Sequence, residues 1–279
     1  MNRLAITADD FGLSESVNAA VEEAHRSGIL SAASLMVGGP AAADAIKRAR
    51  ALPNLRVGLH VVLVNDDPIS PSAQIPALVD ASGRLRNDLV GYSIRSVVAP
   101  AVRRQMSAEI TAQFEAYRAT GLPLDHVNTH RHFHLNPIVA AAIVSIGRRY
   151  GMRGLRVPVE SWRIVADIDP QTNRLAARVV APWAAWLRGQ IRRGGLITAD
   201  AVFGLAWSGA MTKSRVVALL GRLPPGFVEI YFHPATTAAF AGAAPGYRYA
   251  DELAALCDAD CIAAVRRSGY AVGGYADAG

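Results

Sequence analysis

The sequence predicts an α/β protein whose parallel strands close into a (β/α) barrel of seven or eight strands. Short apolar or β-branched runs alternate with helical patterns over most of the chain. Helix start and stop signals separate these runs. The 279 residues are 51% hydrophobic and only 19% charged, which excludes an intrinsically disordered chain and suffices for one barrel core. We therefore expect one barrel domain spanning residues 1–279.

Each strand of the predicted barrel is a short apolar segment. The strand candidates are residues 3–7, 30–37, 56–63, 125–130, 155–158, 201–206, 228–233 and 270–274. The helices between them carry recognisable caps, because Ser14 precedes the first helix and proline follows Gly39 and Asn136 at two helix starts. Gly151 is expected to end the helix that begins at Pro137.

Residues 64–104 interrupt the alternation of strands and helices. They contain three prolines within nine residues and no clear period before a helix near Met106 to Tyr117. Long irregular segments of compact domains are usually lids or binding loops. We predict a lid over a site.

Composition and charge limit the partners and the compartment. The formal net charge is +6, but the arginines are dispersed over several helices, so we expect no nucleic-acid binding. Neither a secretory signal nor a transmembrane run is recognisable, which predicts a cytoplasmic protein. Cys257 and Cys261 are expected to lie on one helix as reduced thiols.

The segment 174–193 contains Trp183, Trp186 and five arginines around an apolar stretch. Helices that lie in a membrane interface have this composition. Ordinary amphipathic helices on the outside of a domain have it too, and we predict this second kind.

Histidine placement is the most specific signal in the sequence. Four of the seven histidines fall within nine residues, and two others end apolar strands; in order these six are His60, His126, His130, His132, His134 and His233. The pair Asp9 and Asp10 follows the first strand candidate directly. In a barrel the carboxyl ends of the strands are where catalytic residues converge.

These residue types suit a metal site with an acid–base pair. One carboxylate and two imidazoles make a three-ligand site for Zn²⁺ or another divalent ion, and Mg²⁺ is the alternative that the oxygens leave open. The second aspartate could then act as a base on water, and His233 as an acid for a leaving group. The sequence therefore predicts metal-assisted hydrolysis without naming the bond.

Four motifs in register resemble the YdjC-like carbohydrate deacetylases. They are ADDFG at 8–12, GLHVVL at 58–63, HRHFH at 130–134 and FHP at 232–234. The resemblance runs from about Arg3 to the C-terminal helix. It implies a TIM-like (β/α) barrel and removal of acetyl groups from N-acetylated sugars.

The same resemblance implies roles for individual residues. Asp10, His60 and His130 would hold one divalent metal ion, Zn²⁺ or Mg²⁺, and Asp9 would be the general base. His233, in the segment that matches the late His-Pro of the family, would donate a proton.

Neighbouring residues would support this site. His132 and His134 would contact the substrate or lie behind the metal ligands. The family usually has an aspartate two residues before the HxHxH run, and here Asn128 occupies that place. Asparagine can orient a neighbour but cannot tune its charge, and Asp125 is a candidate substitute.

The wider sequence, especially residues 8–42, further resembles the branch linked to hopanoid biosynthesis. That likeness implies deacetylation of an N-acetylglucosaminyl hopanoid. It would also let the 174–193 segment dock at the cytoplasmic face of the inner membrane. The rivals are deacetylation of soluble chitooligosaccharides or other N-acetyl sugars, a metal-dependent phosphoesterase, and a non-catalytic metal or carbohydrate binder. The oligomeric state stays open.

Overall fold

The computed structural model describes residues 1–172 and 175–279, and its strands form one parallel sheet. The strands are β1 (Arg3–Phe11), β2 (Ala32–Leu35), β3 (Arg56–Val61), β4 (Val127–Thr129), β5 (Ala201–Phe203), β6 (Phe227–Phe232) and β7 (Ala271–Gly273). Their order is β4-β3-β2-β1-β6-β5, and β7 pairs with β1. The predicted α/β class with a parallel sheet is confirmed, and the sheet forms a half-barrel.

Helices connect the strands in the crossovers that parallel pairing requires. The helices are α1 (Glu15–Ser27), α2 (Ala42–Arg50), α3 (Leu89–Val98), α4 (Pro100–Ala119), α5 (Pro137–Arg149), α6 (Trp162–Ile168), α7 (Leu175–Arg193), α8 (Lys213–Leu220), α9 (Tyr249–Cys257) and α10 (Ala259–Ser268). Short 3₁₀ turns cover Ser72–Gln74, His130–Leu135 and Ala276–Ala278.

Strand β1 lies at the centre of the sheet and is buried from Leu4 onward. It pairs with β6 over Arg3 to Ala8 and with β2 further along. β7 pairs only with the amino-terminal part of β1, Arg3 to Ala5, so it lies at the opposite end from Asp9 and Asp10. The central strand therefore delivers its carboxyl end, and its acidic pair, to the middle of the sheet edge.

The prediction of a strand over residues 155–158 is wrong. In the described residues this segment makes only isolated parallel bridges, Val127 with Leu155 and Gly154 with Ile197. Pro158 has no N–H to donate, and the N–H of Val159 bonds back to the carbonyl of Val157. Single bridges, not a regular strand, thus span the gap between β4 and the chain before β5. The described residues therefore do not form the ring of seven or eight strands that we predicted.

The segment 64–104 is more regular than predicted. It contains the 3₁₀ turn, the whole of α3 and the start of α4. The side chain of Asp88 caps α3 by accepting from the N–H of Gly91. α3 was not predicted from the sequence, although Val90, Ile94 and Val97 recur at helical spacing.

Helix caps follow the sequence at two of three predicted starts. The side chains of Ser14 and Asn136 cap α1 and α5. The second helix begins at Ala42, not at Pro40, because residues 39–41 form a turn. Gly151, with a φ of 76°, follows the end of α5 as predicted.

Two further predictions concern the outer helices. Cys257 and Cys261 are free thiols, but they lie on two helices because Asp258 ends α9 and caps α10. Arg174, the first residue of the predicted 174–193 helix, lies outside the described residues, and α7 covers the remainder. Within the described part of the chain, no helix has both the length and the apolar character to traverse a bilayer.

Candidate metal centre

A local irregularity of β1 brings the two adjacent aspartates to one site. Successive residues of a regular strand point to opposite faces of the sheet. Here the register with β2 shifts between Ala8 and Phe11, and Asp10 has a left-handed φ of 60°. Asp9 and Asp10 consequently line the same pocket, and both are buried.

Asp10, His60 and His130 form the cluster that the sequence predicted. One potential ligand atom from each residue lies within 4.8 Å of the other two. Oδ1 of Asp10 is 3.2 Å from Nε2 of His60 and 3.1 Å from Nδ1 of His130. Burial alone would raise the pKa of Asp10, but the neighbouring imidazoles outweigh it and hold that pKa well below its usual value.

Asn128 fixes the tautomer of His60. Its amide nitrogen donates to Oδ1 of Asp9 at 3.1 Å and to the hydroxyl of Ser34 at 2.8 Å. Its oxygen must therefore accept from Nδ1 of His60, at 2.6 Å. When His60 is neutral, its Nε2 then turns a lone pair toward the carboxylate of Asp10.

This arrangement fits a cation between His60 and Asp10. Nε2 of His60 is buried and has no hydrogen-bond partner in the described residues. Two acceptors facing each other in a buried site repel unless a proton or a metal ion lies between them. An oxygen and two imidazole nitrogens are a donor set that divalent ions accept, with positions left for water or substrate.

A buried arginine that the sequence analysis missed holds Asp9. Nη1 of Arg156 donates to Oδ2 of Asp9 at 2.5 Å. The same guanidinium donates to both carboxylate oxygens of Glu229, at 2.7 and 3.0 Å. Burial would raise the pKa of Asp9, but the charge of Arg156 and that of His60 lower it, so Asp9 is ionised at neutral pH.

A signal for this pair was present in the sequence. Arg156 and Glu229 each stand inside an apolar strand candidate, where an unpaired charge is costly. Both are fully buried, and Glu229 also accepts from the hydroxyls of Thr7 and Tyr275. Opposite charges inside two apolar runs are a pairing that the sequence itself suggests.

His132 lines the pocket, whereas His134 is buried behind it. Nε2 of His132 lies 3.0 Å from the hydroxyl of Tyr231, and its ring lines the pocket. Nδ1 of His134 lies 2.7 Å from the hydroxyl of Thr129, and its ring is fully buried. Burial lowers both pKa values, that of His134 to about 3, so both rings are neutral near pH 7.

His233 follows β6 and reaches the same pocket. Its Nδ1 is buried without a hydrogen-bond partner among the described residues, and burial lowers its pKa. Its backbone N–H donates to the buried carboxylate of Glu252, which also accepts from the N–H of Met211. Burial raises the pKa of Glu252 to about 7. Glu252 thus fixes the backbone that carries His233.

Asp125 does not substitute for the missing family aspartate. Its carboxylate binds Nδ1 of His126 at 2.8 Å and the N–H groups of Tyr275 and Ala276. These bonds tie the C-terminal segment to the start of β4. Asn128, not Asp125, contacts the cluster.

The pocket has a volume of about 370 Å³. Its walls include two segments that the sequence analysis did not assign to the site, residues 205–208 and residues 242–249 with Tyr247 and Tyr249. From the predicted lid segment only Asn65 appears among the lining residues. All four described non-glycine residues with left-handed φ border this pocket, namely Asp10, Asn65, Arg131 and His132.

Comparison with known proteins agrees with the motifs. A carbohydrate deacetylase from Geobacillus stearothermophilus is 29% identical over 95% of this chain and 93% of its own length. One from Brevibacillus brevis is 34% identical over 157 residues, which cover 56% of this chain and 58% of that relative. This second match therefore spans little more than half of the relative's length.

A solved structure shares the fold over nearly the whole chain. It is a proposed cellobiose-phosphate cleavage protein from Enterococcus faecalis, with a TM-score of 0.78, 22% identity and coverage of 99% of both chains. The model of the YdjC-like protein family matches residues 3–267. The chain therefore belongs to the YdjC-like protein family, as its motifs predicted.

Proposed function

We propose that this chain is a metal-dependent hydrolase that removes the acetyl group from an N-acetylated sugar. The observation that carries the proposal is the cluster of Asp10, His60 and His130 beside the ionised Asp9 in one pocket. The relatives named carbohydrate deacetylase support an acetyl group on a carbohydrate as the group that is removed. Asp10, His60 and His130 would hold one divalent ion, Zn²⁺ or Mg²⁺, which when bound polarises the acetamide carbonyl and acidifies water.

Asp9 is the proposed general base. Arg156 keeps its carboxylate ionised and holds Oδ2 in place, while Oδ1 is held by the amide of Asn128. A fixed carboxylate next to the ligand cluster can accept the proton of the attacking water. The neighbouring Asp10 cannot share this role, because its Oδ1 faces the two imidazoles.

His233 is the proposed proton donor to the departing sugar amine. It lines the same pocket as Asp9, and its buried Nδ1 has no protein partner among the described residues. The Glu252 carboxylate fixes its backbone. In the same proposal His132 contacts the substrate, whereas His134 packs behind the site and binds Thr129.

The finer proposal is that the acetyl group belongs to an N-acetylglucosaminyl hopanoid, handled by a cytoplasmic enzyme that contacts the inner membrane peripherally. The likeness of residues 8–42 to the hopanoid-linked branch supports it. Soluble chitooligosaccharides are the alternative substrates. We further propose that residues 1–279 act as one domain, with 64–104 as its lid.

Acetate release tests these assignments directly. We expect release from an N-acetylglucosaminyl lipid or, under the alternative, from N,N′-diacetylchitobiose, and we expect a chelator to abolish it. Asp9→Asn should retain the metal and lose turnover, whereas the exposed Asp67→Asn should behave as wild type. Normal acetate release by Asp9→Asn would refute the base assignment, and release of phosphate from phosphate esters instead would replace the reaction class.

A further inference from the structure

An exposed apolar stripe runs along α3. Val90, Ile94, Val97 and Val98 are 72%, 61%, 64% and 70% exposed. Their spacing of four, three and one residues places them on one side of the helix. The opposite side of α3 is buried through Tyr92 and Ser96. A surface helix of a monomer normally reserves its apolar side for the core, so this stripe needs another explanation.

A second exposed apolar stripe lies on α7. Val179, Trp183 and Trp186 are 70%, 37% and 50% exposed and are again spaced by four and three residues. The two indole rings stack with their centroids 4.8 Å apart. α7 packs on the core through other residues, Ala184, Leu187 and Ile191. The stripe is therefore additional to the side of α7 that faces the core.

The two helices that carry the stripes both contact one turn. The amide of Asn136 donates to the hydroxyl of Ser96 in α3, and the indole N–H of Trp183 in α7 donates to the carbonyl of Leu135. Leu135 and Asn136 are neighbours in sequence, so α3 and α7 flank this point. We call the seven exposed side chains of the two stripes the α3–α7 face.

This turn leads directly to the pocket. The 3₁₀ segment that ends at Leu135 begins at His130, a member of the Asp10 cluster. Arg131 of the same segment lines the pocket and donates to Asn87, just before α3. The start of α3 and the turn that α7 contacts therefore lie close to the residues that line the pocket.

Exposed arginines on α7 and on the helices next to α3 and α7 favour an anionic partner. Arg178 on α7 and Arg163 on α6 are exposed and stack on the ring of Trp162 at 5.2 and 5.4 Å. Arg104, at the start of α4, is exposed as well. Asp88 beside α3 is paired with Arg95, and the sequence of α7 contains no acidic residue. A second copy of this chain would bring the same arginines against one another.

We propose that the α3–α7 face docks on an anionic lipid bilayer. Valine, isoleucine and indole side chains insert at the boundary of headgroups and acyl chains, while arginines bind the phosphates. Docking places the mouth of the pocket next to the membrane surface. If the proposed deacetylase function holds, on which this last step rests, the substrate is an N-acetylated sugar carried by a membrane lipid.

Flotation with vesicles tests the docking. The full chain is mixed with vesicles of phosphatidylcholine containing about 30 mol % phosphatidylglycerol, or with phosphatidylcholine alone. We expect binding to the anionic vesicles that weakens with salt. Ile94→Gln combined with Trp186→Gln should weaken it at least about tenfold.

The matched control is Val272→Gln, a change at an exposed valine of β7 at the opposite end of the sheet. It should bind vesicles as wild type does. No binding by the wild type, or equal binding by the double variant, would overturn the proposal. So would a dimer that the double variant dissociates without any change in vesicle binding.

A separate measurement distinguishes this failure from failure of the proposed function. Acetate release from soluble N,N′-diacetylchitobiose is followed without vesicles in the same preparations. Release without vesicle binding would retain the deacetylase and reject the docking surface. Vesicle binding without release from any N-acetylated sugar, soluble or lipid-linked, would retain the docking surface and reject the deacetylase.

Discussion

Arg156 is the side chain on which the acidic side of the site depends. It is fully buried between Asp9 and Glu229, and its three hydrogen bonds to these carboxylates use the fixed fork of the guanidinium. The arrangement leaves Asp9 ionised in a buried position, where a lone carboxylate would take up a proton. Arg156 thus both positions the carboxylate of Asp9 and keeps it ionised.

Removing that guanidinium should be costly for the whole protein. Arg156→Gln leaves two carboxylates buried without a counter-charge, and we expect the free energy of unfolding to fall by about 3–5 kcal/mol. Urea denaturation followed by circular dichroism measures it. Arg84→Gln is the control, because Arg84 pairs with Asp67 at the surface and should cost less than about 1 kcal/mol. Equal losses in the two variants would contradict this account.

Asn128 should determine how tightly the cluster holds a metal. Asn128→Ala frees the ring of His60 to rotate and removes the acceptor of its Nδ1, so we expect the affinity for Zn²⁺ to fall about 10- to 100-fold. Isothermal titration calorimetry measures the affinity. Asn87→Ala, which removes an exposed amide that accepts from Arg131, should leave it unchanged. An unchanged affinity in Asn128→Ala would show that the hydrogen bond between Asn128 and His60 does not affect metal binding.

Residue types predicted the imidazoles and carboxylates of the site well, but not the contacts between them. The histidines stood out because six of seven lie in or near three strand ends. Arg156 was missed because its partners, Asp9 and Glu229, are 147 and 73 residues away in sequence. No local pattern records a contact over that separation.

At the scale of elements, the sequence predicts the start of β1 but not the irregularity at its carboxyl end. The strand itself follows from its apolar run, and its predicted end at Thr7 falls four residues short of Phe11. The extra residues carry Asp9 and Asp10, whose polarity hides the strand from a hydrophobicity pattern. The left-handed φ of Asp10 has no signal in the sequence, since an aspartate also occurs in turns and helix caps.

The C-terminal segment should loosen in acid. Burial alone would raise the pKa of Asp125, but His126 and the N–H groups of Tyr275 and Ala276 outweigh it and lower that pKa below 3.8. A carboxylate with a lowered folded pKa stabilises the fold above its unfolded pKa and loses this effect as the pH falls through the folded pKa. We expect protection of the Tyr275 and Ala276 amides to decrease below pH 3.8, measured by hydrogen exchange.

Asp125→Asn is the matched variant for this experiment. It removes the ionisable group, so the same amides should exchange faster at neutral pH and show little further change in acid. Equal protection of wild type at neutral pH and at about pH 3 would contradict the role of Asp125.

At the scale of the whole molecule, the parallel sheet collects residues from distant parts of the chain. Strands β1, β3, β4 and β6 deliver Asp9 and Asp10, His60, His130 and His233 to one edge. This convergence was predictable because all four strands are parallel and end on the same side. The incomplete ring between β4 and β5 was not, because it depends on Pro158 and on bridges that no local pattern reveals.

Metal binding should be visible in the stability of the whole fold. A divalent ion that binds only the folded state at about 100 times its Kd should raise the free energy of unfolding by about 2.7 kcal/mol. Thermal denaturation with Zn²⁺ and with a chelator measures this difference. His60→Ala should abolish it, whereas His25→Ala, at the end of α1, should preserve it. A difference that persists in His60→Ala would place the ion elsewhere.

The left-handed residues around the pocket have a consequence for directed evolution. Asn65, Arg131 and His132 hold backbone conformations that glycine adopts with less strain. A library selected only for heat resistance would accumulate glycine wherever the relief of this strain exceeds the contacts of the side chain, because that selection does not reward turnover. The surviving clones would be more heat-resistant proteins whose pocket has lost side chains that line it. Selection on this scaffold should therefore screen turnover and heat resistance together.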